Sequence, residues 1–258
     1  MRAKDIIKVI EEKFPLVNAE DWDNVGLLVG DINKEIKKIQ FSIDATVEAI
    51  ENAIKLNVDM IITHHPIIFK AIKSIREQET LGKKLRKLIK NDINVYCIHT
   101  NLDSTKNGLN DWVLKKIGIE ESKILDLNEE KGSGIGRLYT LEEETKLINY
   151  IQKLKKDLSI RDLRVISKNL DKNVRKVALI NGSAMSYWRL AKAKNVDLFI
   201  TGDIGYHDAL DALENGLSVI DFGHYESENF FDELLKKELN SLDLEFFVFN
   251  DGPVFNFL

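Results

Sequence analysis

With 258 residues, 44% hydrophobic and 31% charged, the chain has room for one large α/β domain or two smaller ones, each with its own core. Thirty-seven Lys and Arg against 42 Asp and Glu give a formal charge of −5, which argues against a dedicated nucleic-acid binder. No apolar run approaches the roughly 18–20 residues of a membrane span, and the only cysteine, Cys97, excludes an internal disulfide.

The N-terminus has the pattern of an amphipathic helix and not of a signal peptide, so a cytoplasmic protein is expected. Heavy use of Lys, Glu and Ile is the bias of a thermophile, in which ion-pair networks gain value with temperature. Residues 5–14 place Ile6, Ile7, Ile10 and Phe14 on one helical face, ended with the help of Pro15. Trp22-Asp23-Asn24-Val25-Gly26 reads as a turn entering a strand, with a pocket-lining role as the other reading. A strand over 39–44, a helix over 46–56 and a short apolar strand from Val58 to Thr63 form a β-α-β unit, which implies a parallel, right-handed crossover. Helix 81–89, strand 93–98 and a helix over 107–117, closed by Gly118, follow.

The glycines of Gly132-Ser-Gly134-Ile-Gly136 follow no predicted strand and lead to strand-like 137–141. They therefore read as a linker or hairpin entry and not as a dinucleotide loop. Beyond them the pattern predicts a helix over 143–156, strands over 161–166 and 177–181, the turn Gly182-Ser183-Ala184, and a helix over 185–194. Then come a strand over 196–203, a helix over 204–215, a strand over 218–222, a long helix from Gly223 to about 239, and an aromatic strand over 244–249.

The two halves repeat. Setting residue 44 against 182 aligns them without gaps through 65 and 203, with Asn57-Val58-Asp59 over Asn195-Val196-Asp197. A second strand pair, 95–100 over 219–224, follows in the same order. A duplicated α/β unit is the reading. Equivalent strand ends could then face each other across a pseudo-two-fold axis and build one site from both halves.

Four of those strand ends carry candidate ligands: His64-His65, His99 through Asp103, Asp203 through His207, and His224 through Glu228. Polar residues past the carboxyl ends of strands are where open α/β sheets bind ligands. Pro66 keeps His65 out of helical geometry, so the adjacent histidines splay, which suits two neighbouring ions better than one. His224 and Glu228 are four apart and share a helical face, whereas Glu226 is turned away. Mixed His and carboxylate donors suit Zn, Fe, Mn or Ni, and a carboxylate can bridge a hydrolytic pair of ions. Each has a plainer reading: Asp103 as a helix cap, Glu228 as a solvated first-turn carboxylate, His207 with Asp208 and Asp211 as a surface cluster.

Taken together, the motifs Trp22-Asp-Asn-Val-Gly-Leu27, Ile62-Thr-His-His-Pro66, His99-Thr-Asn-Leu-Asp103, Thr201-Gly-Asp203 with Tyr206-His207, and Gly223-His-Tyr-Glu-Ser-Glu228 resemble the type 2 homologues of GTP cyclohydrolase I, the Nif-three-like proteins. The resemblance implies two similar, intertwined α/β domains, here 1–125 with 225–258 and 126–224, without the inserted domain of longer members. It implies a toroidal homohexamer and two divalent transition-metal ions per subunit. One ion would take His64 and Asp103, the other His65 and His224, with Glu228 shared.

A hydrolase acting on a nucleotide-like substrate is then expected, with His207 as the candidate for proton transfer and His99 as its rival. The competing expectation is a ring that binds nucleic acid or regulates without turnover. Its motive is two basic stripes: residues 70–90 hold eight Lys and Arg against two Glu, and residues 153–176 hold nine against three Asp.

Overall fold

A computed structural model describes residues 1–255. The chain divides into two compact units, Met1–Thr105 with Phe231–Gly252, and Lys106–Phe230. The first holds, in chain order, α1 (Ala3–Lys13), β1 (Gly26–Val29), β2 (Lys38–Ser42), α2 (Val47–Leu56), β3 (Met60–Thr63), α3 (Thr80–Lys90), β4 (Asn94–Cys97) and α4 (Thr100–Ser104). The second holds α5 (Leu109–Lys116), β5 (Lys123–Asn128), β6 (Ser133–Lys146), α6 (Leu147–Asp157), β7 (Arg164–Ile166), β8 (Asn173–Ser183), α7 (Trp188–Ala193), β9 (Leu198–Gly202), α8 (Tyr206–Glu214), β10 (Ser218–Asp221) and α9 (His224–Glu228). The chain then returns to the first unit as α10 (Phe231–Leu239) and β11 (Glu245–Val248).

The first sheet has the order β1-β4-β3-β2-β11, with β1 alone antiparallel to its neighbour. Every residue of β3 and β4 is buried, as parallel strands covered on both faces require. The second sheet, β5-β6-β8-β9-β10-β7, has a parallel centre, β8-β9-β10, between antiparallel flanks. Alternate residues of β8 serve opposite cores. Val177 and Leu179 pack with Tyr139 and Phe222, while Ala178 and Ile180 pack with Trp188 and Phe199. Among the described residues no helix is long and apolar enough to cross a membrane.

The duplication is visible down to single hydrogen bonds. Asn57 and Asn195 both end a helix in the left-handed region, at φ 52° and 56°. Asp59 accepts the backbone N–H groups of Lys37 and Lys38, and Asp197 accepts those of Arg175 and Lys176, each 138 residues further along. The antiparallel strand beside β4 also has its counterpart in the one beside β10.

Three expectations change. The chain divides at 105/106 and 230/231, where the sequence pointed to 125/126 and 224/225. Residues 106–125 go with the second unit because Val113, Leu114 and Ile117 pack against Tyr139 and Leu179, and β5 pairs with β6. Residues 143–146 are strand, not helix, since Thr145 and Lys146 pair with Val174 and Asn173 of β8; ladder pairing overrides the helix propensity of the Glu run. The single helix from 223 to 239 is two, α9 and α10, because Phe230 packs against the second unit's core and Phe231 is buried in the first unit.

The glycine run 132–136 is the entry of the β5–β6 hairpin. A Cβ on Gly134 would lie 1.9 Å from the Asp126 carbonyl oxygen, and Gly136 sits at φ 71°. This close approach lets the Arg137 guanidinium donate to the Gly134 and Gly136 carbonyls and bind Asp111 through two nitrogens, 2% exposed.

Candidate metal centre

In the first unit β3 and β4 run parallel, with Thr63 opposite Cys97, so His64-His65 and His99 leave neighbouring strands at one edge of the sheet. The Ile43 carbonyl, just past β2, accepts the backbone N–H groups of both His64 (3.1 Å) and His65 (3.0 Å). Thr63 Oγ1 donates to the His65 carbonyl at 2.8 Å, closing the turn. The His64 and His65 rings then stand 5.1 Å apart, tilted by 45°, with the His99 ring 5.2 Å from the first and 5.6 Å from the second. One ring nitrogen from each of the three lies within 4.8 Å of the others.

The protonation pattern is set by what each Nδ1 meets. His64 Nδ1 donates to the Ile98 carbonyl at 2.9 Å, and a carbonyl only accepts, so Nε2 is the nitrogen with the lone pair. His65 Nδ1 lies 3.0 Å from Asp44 Oδ1, and His99 Nδ1 lies 2.9 Å from both oxygens of Asp23. An imidazole whose Nδ1 is anchored to a carboxylate or carbonyl presents a basic Nε2, the arrangement found behind metal-ligating histidines. Asp103, within α4, puts Oδ2 3.7 Å from His64 Nε2. Two donors on one tetrahedral ion, with bonds of roughly 2.0–2.2 Å, stand roughly 3.3–3.6 Å apart. The pair stands just beyond that span, within a small side-chain adjustment of it.

Asp103 does not cap the helix that follows it: α5 begins after Gly108, with no side-chain cap. The start of α4 is held instead by Asp23, whose carboxylate receives the Thr100 N–H (3.1 Å) and Thr100 Oγ1 (2.5 Å) as well as His99. Burial alone would push the Asp23 carboxyl up. The hydrogen bond and charge of His99, with the hydrogen bonds of Thr100, outweigh it and hold the pKa down at about 2.

In the second unit His224 and Glu228 lie one turn apart in α9, with Nε2 and Oε2 separated by 3.2 Å, while His224 Nδ1 meets Asp203 Oδ2 at 2.6 Å. Glu228 is 3% exposed. Its carboxylate occupies the space that a side chain at 182 would need: a Cβ on Gly182 would lie 2.4 Å from Glu228 Oε1, and that glycine has φ 62°. Gly182 N–H donates to Ser227 Oγ at 2.9 Å, and Ser227 Oγ donates to the His224 carbonyl at 2.6 Å, locking the turn to the helix. Glu226 points back at Gly223.

The donor chemistry, imidazole nitrogens backed by carboxylates with further carboxylate oxygens beside them, suits a divalent transition metal in both units. His207 stands apart. It is exposed in the first turn of α8, with its ring 5.4 Å from that of Tyr206, and joins no metal-ligating group among the described residues. Missing from the sequence reading were the orienting carboxylates Asp23 and Asp44, and the orienting role of Asp203. One signal was available: Asp44 precedes His65 by 21 residues, and Asp203 precedes His224 by the same interval.

Comparison with known proteins agrees with this geometry. The family model for Duf34/NIF3 (NGG1p interacting factor 3) matches residues 1–252. Proteins named GTP cyclohydrolase 1 type 2 homolog are 42% identical over 230 residues in Clostridium acetobutylicum, covering 88% of this chain and 85% of that protein. The one in Clostridium perfringens is 40% identical over 253 residues, covering 96% of each. Among solved structures, a Bacillus cereus protein related to NIF3 shares the fold at TM-score 0.91 and 24% identity, over 100% of this chain and 99% of that one. Reduced HcgD from Methanocaldococcus jannaschii is similar at TM-score 0.83 and 35% identity, over 96% of this chain and 97% of that one. By fold, motifs and family model alike, the chain belongs to the Duf34/NIF3 family.

Proposed function

We propose that the protein is a metal-dependent hydrolase with a dinuclear centre, acting on a nucleotide-like substrate. The observation that carries this is the common state of three histidines, His64, His65 and His224, each with Nδ1 anchored to a carbonyl or carboxylate oxygen. The donors would be His64, His65 and Asp103 in the first unit and His224 and Glu228 in the second. Two ions there would supply Lewis acidity and a water acidic enough to ionise near neutral pH.

The chain's own part is to hold these donors rigid and to move a proton. His99, braced by Asp23 and beside His64 and His65, is the better placed of the two candidate proton carriers. His207, exposed on α8, is the rival carrier. Elemental analysis of metal-replete protein should return about two ions per chain, falling in His64→Ala and Glu228→Gln. A screen of purine nucleotides, phosphomonoesters and cyclic nucleotides should find turnover that chelation abolishes. His99→Gln should keep the metal and lower turnover by roughly 10²–10⁴-fold; no turnover on any substrate, with the ions in place, would leave a binding or regulatory role.

A homohexamer belongs to the same reading and rests on family membership; sedimentation equilibrium tests it. The nucleic-acid reading is weakened within the first stripe, where Arg76, Arg86 and Lys87 are matched by Glu79, Glu77 and Glu51. A steep loss of DNA or RNA affinity with salt, unaffected by chelation, would restore it.

A further inference from the structure

Beside the first unit's histidines two aromatic rings face solvent. Trp22 is 59% exposed and Phe69 is 50% exposed, although aromatic side chains of this size are ordinarily largely buried. Their positions are set by built contacts on either side. Asp23, the residue after Trp22, grips His99 and the first turn of α4, so the indole is indexed to the histidine cluster. Asn24 Nδ2 donates to the Ile68 carbonyl at 2.5 Å, which ties the segment carrying Phe69 to the same turn. The Trp22 and Phe69 rings meet edge to face, centroids 5.8 Å apart at 60°. On its other side Trp22 meets the His99 ring at 6.1 Å and 74°. The whole assembly lies within the first unit.

We propose that Trp22, buttressed by Phe69, is the stacking platform for a planar heteroaromatic ring of the substrate, of the nucleobase type. The inference rests on the hydrolase reading and names what that site would recognise. An exposed indole offers a broad π face that stacks on any such ring and does not depend on the ring's hydrogen-bond pattern. A ring laid on it at a contact distance of ~3.5–4 Å would carry its substituents toward His99, which stands 5.2 and 5.6 Å from His64 and His65. Binding energy from the unreactive ring would thereby hold the reacting group near the donors, as remote binding does in catalysis.

The test uses the metal-loaded full chain and isothermal titration with two probes, guanosine monophosphate and ribose 5-phosphate. Wild-type protein should bind the first more tightly. In Trp22→Ala the dissociation constant for guanosine monophosphate should rise about ten-fold, recover most of the way in Trp22→Phe, and stay unchanged for ribose 5-phosphate. Metal content and sedimentation should match the wild type. The proposal is overturned if wild-type protein does not prefer the nucleotide, if Trp22→Ala changes neither constant or both equally, or if it alters the size of the assembly, which would make the aromatic pair an interface between copies. A chain that takes up no metal but shows this nucleotide pattern would sink the hydrolase reading and leave the platform standing; full metal content without the pattern would do the opposite.

Discussion

At the scale of single residues, the site is organised by carboxylates that touch no candidate ion. Asp23 is the clearest. Its carboxyl is held below the ordinary 3.8, at about 2, so it contributes stability that is fully present above pH ~4 and is lost as the pH falls through ~2. Asp23→Asn should therefore lower stability at pH 7 by an amount on the order of 1–2 kcal/mol, after allowance for solvent screening. Urea unfolding at pH 7 and at pH 2.5 should show the two proteins converging in acid; an equal gap at both values would mean that the carboxylate's charge is not what matters. Gly182→Ala is the second prediction. At φ 62° an alanine is strained by ~1–2 kcal/mol, and its methyl would press on Glu228 Oε1. The variant should be less stable and hold less metal by elemental analysis, and unchanged metal content would refute the crowding of Glu228. The histidine pair was legible in the sequence as a candidate, because an apolar strand that ends in two adjacent histidines brings polar side chains to the edge of a sheet. Asp23 was not. An Asp-Asn before a glycine is already explained by turn geometry, and its hold on His99, 76 residues away, is visible only in three dimensions.

Among elements, the repeat makes a sharper claim than fold similarity does. Asp59 and Asp197 each bridge two backbone N–H groups at the start of a neighbouring strand. Removing either carboxylate leaves two strand-entry donors without it, so Asp59→Ala and Asp197→Ala should each cost roughly 1–3 kcal/mol. Thermal or urea unfolding of both variants decides this, and a loss confined to one would show that the equivalence is of sequence only. Strand and helix order was legible from apolar runs and their 3.6-residue alternatives. Two elements were misread for reasons that periodicity cannot carry. Glu142, Glu143 and Glu144 favour a helix locally, but they lie in an irregular stretch between Thr140 and Thr145, both of which pair with β8. Phe230 and Phe231 look like consecutive positions on one helix, yet they serve separate cores.

For the molecule as a whole, the first unit is discontinuous: its last strand, β11, pairs with β2 more than 200 residues earlier, with Phe246 opposite Ile39. The aromatic ring of Phe246 stacks on Phe41 at 5.5 Å, and Asp251 accepts a hydrogen bond from Thr46, the cap of α2. A chain ending at Asp243 should therefore lose protection of the β2 amides in hydrogen exchange and aggregate through that bare edge. Retention of protected β2 amides would show that the strand is dispensable.

That same discontinuity sets a schedule during synthesis. The ribosome makes β1 to β4 first and then the entire second unit before α10 and β11 emerge. At roughly 5–20 residues per second, the interval from Thr105 to Gly252 lasts roughly 7–30 s. Through that interval β2 waits with one edge unpaired, beside the sequence Glu35-Ile36-Lys37-Lys38. Charged residues at the mouth of a strand discourage pairing with a stranger. Lys37 and Lys38 sit at the mouth of that open edge, where their charges oppose its pairing with a second nascent chain until β11 arrives.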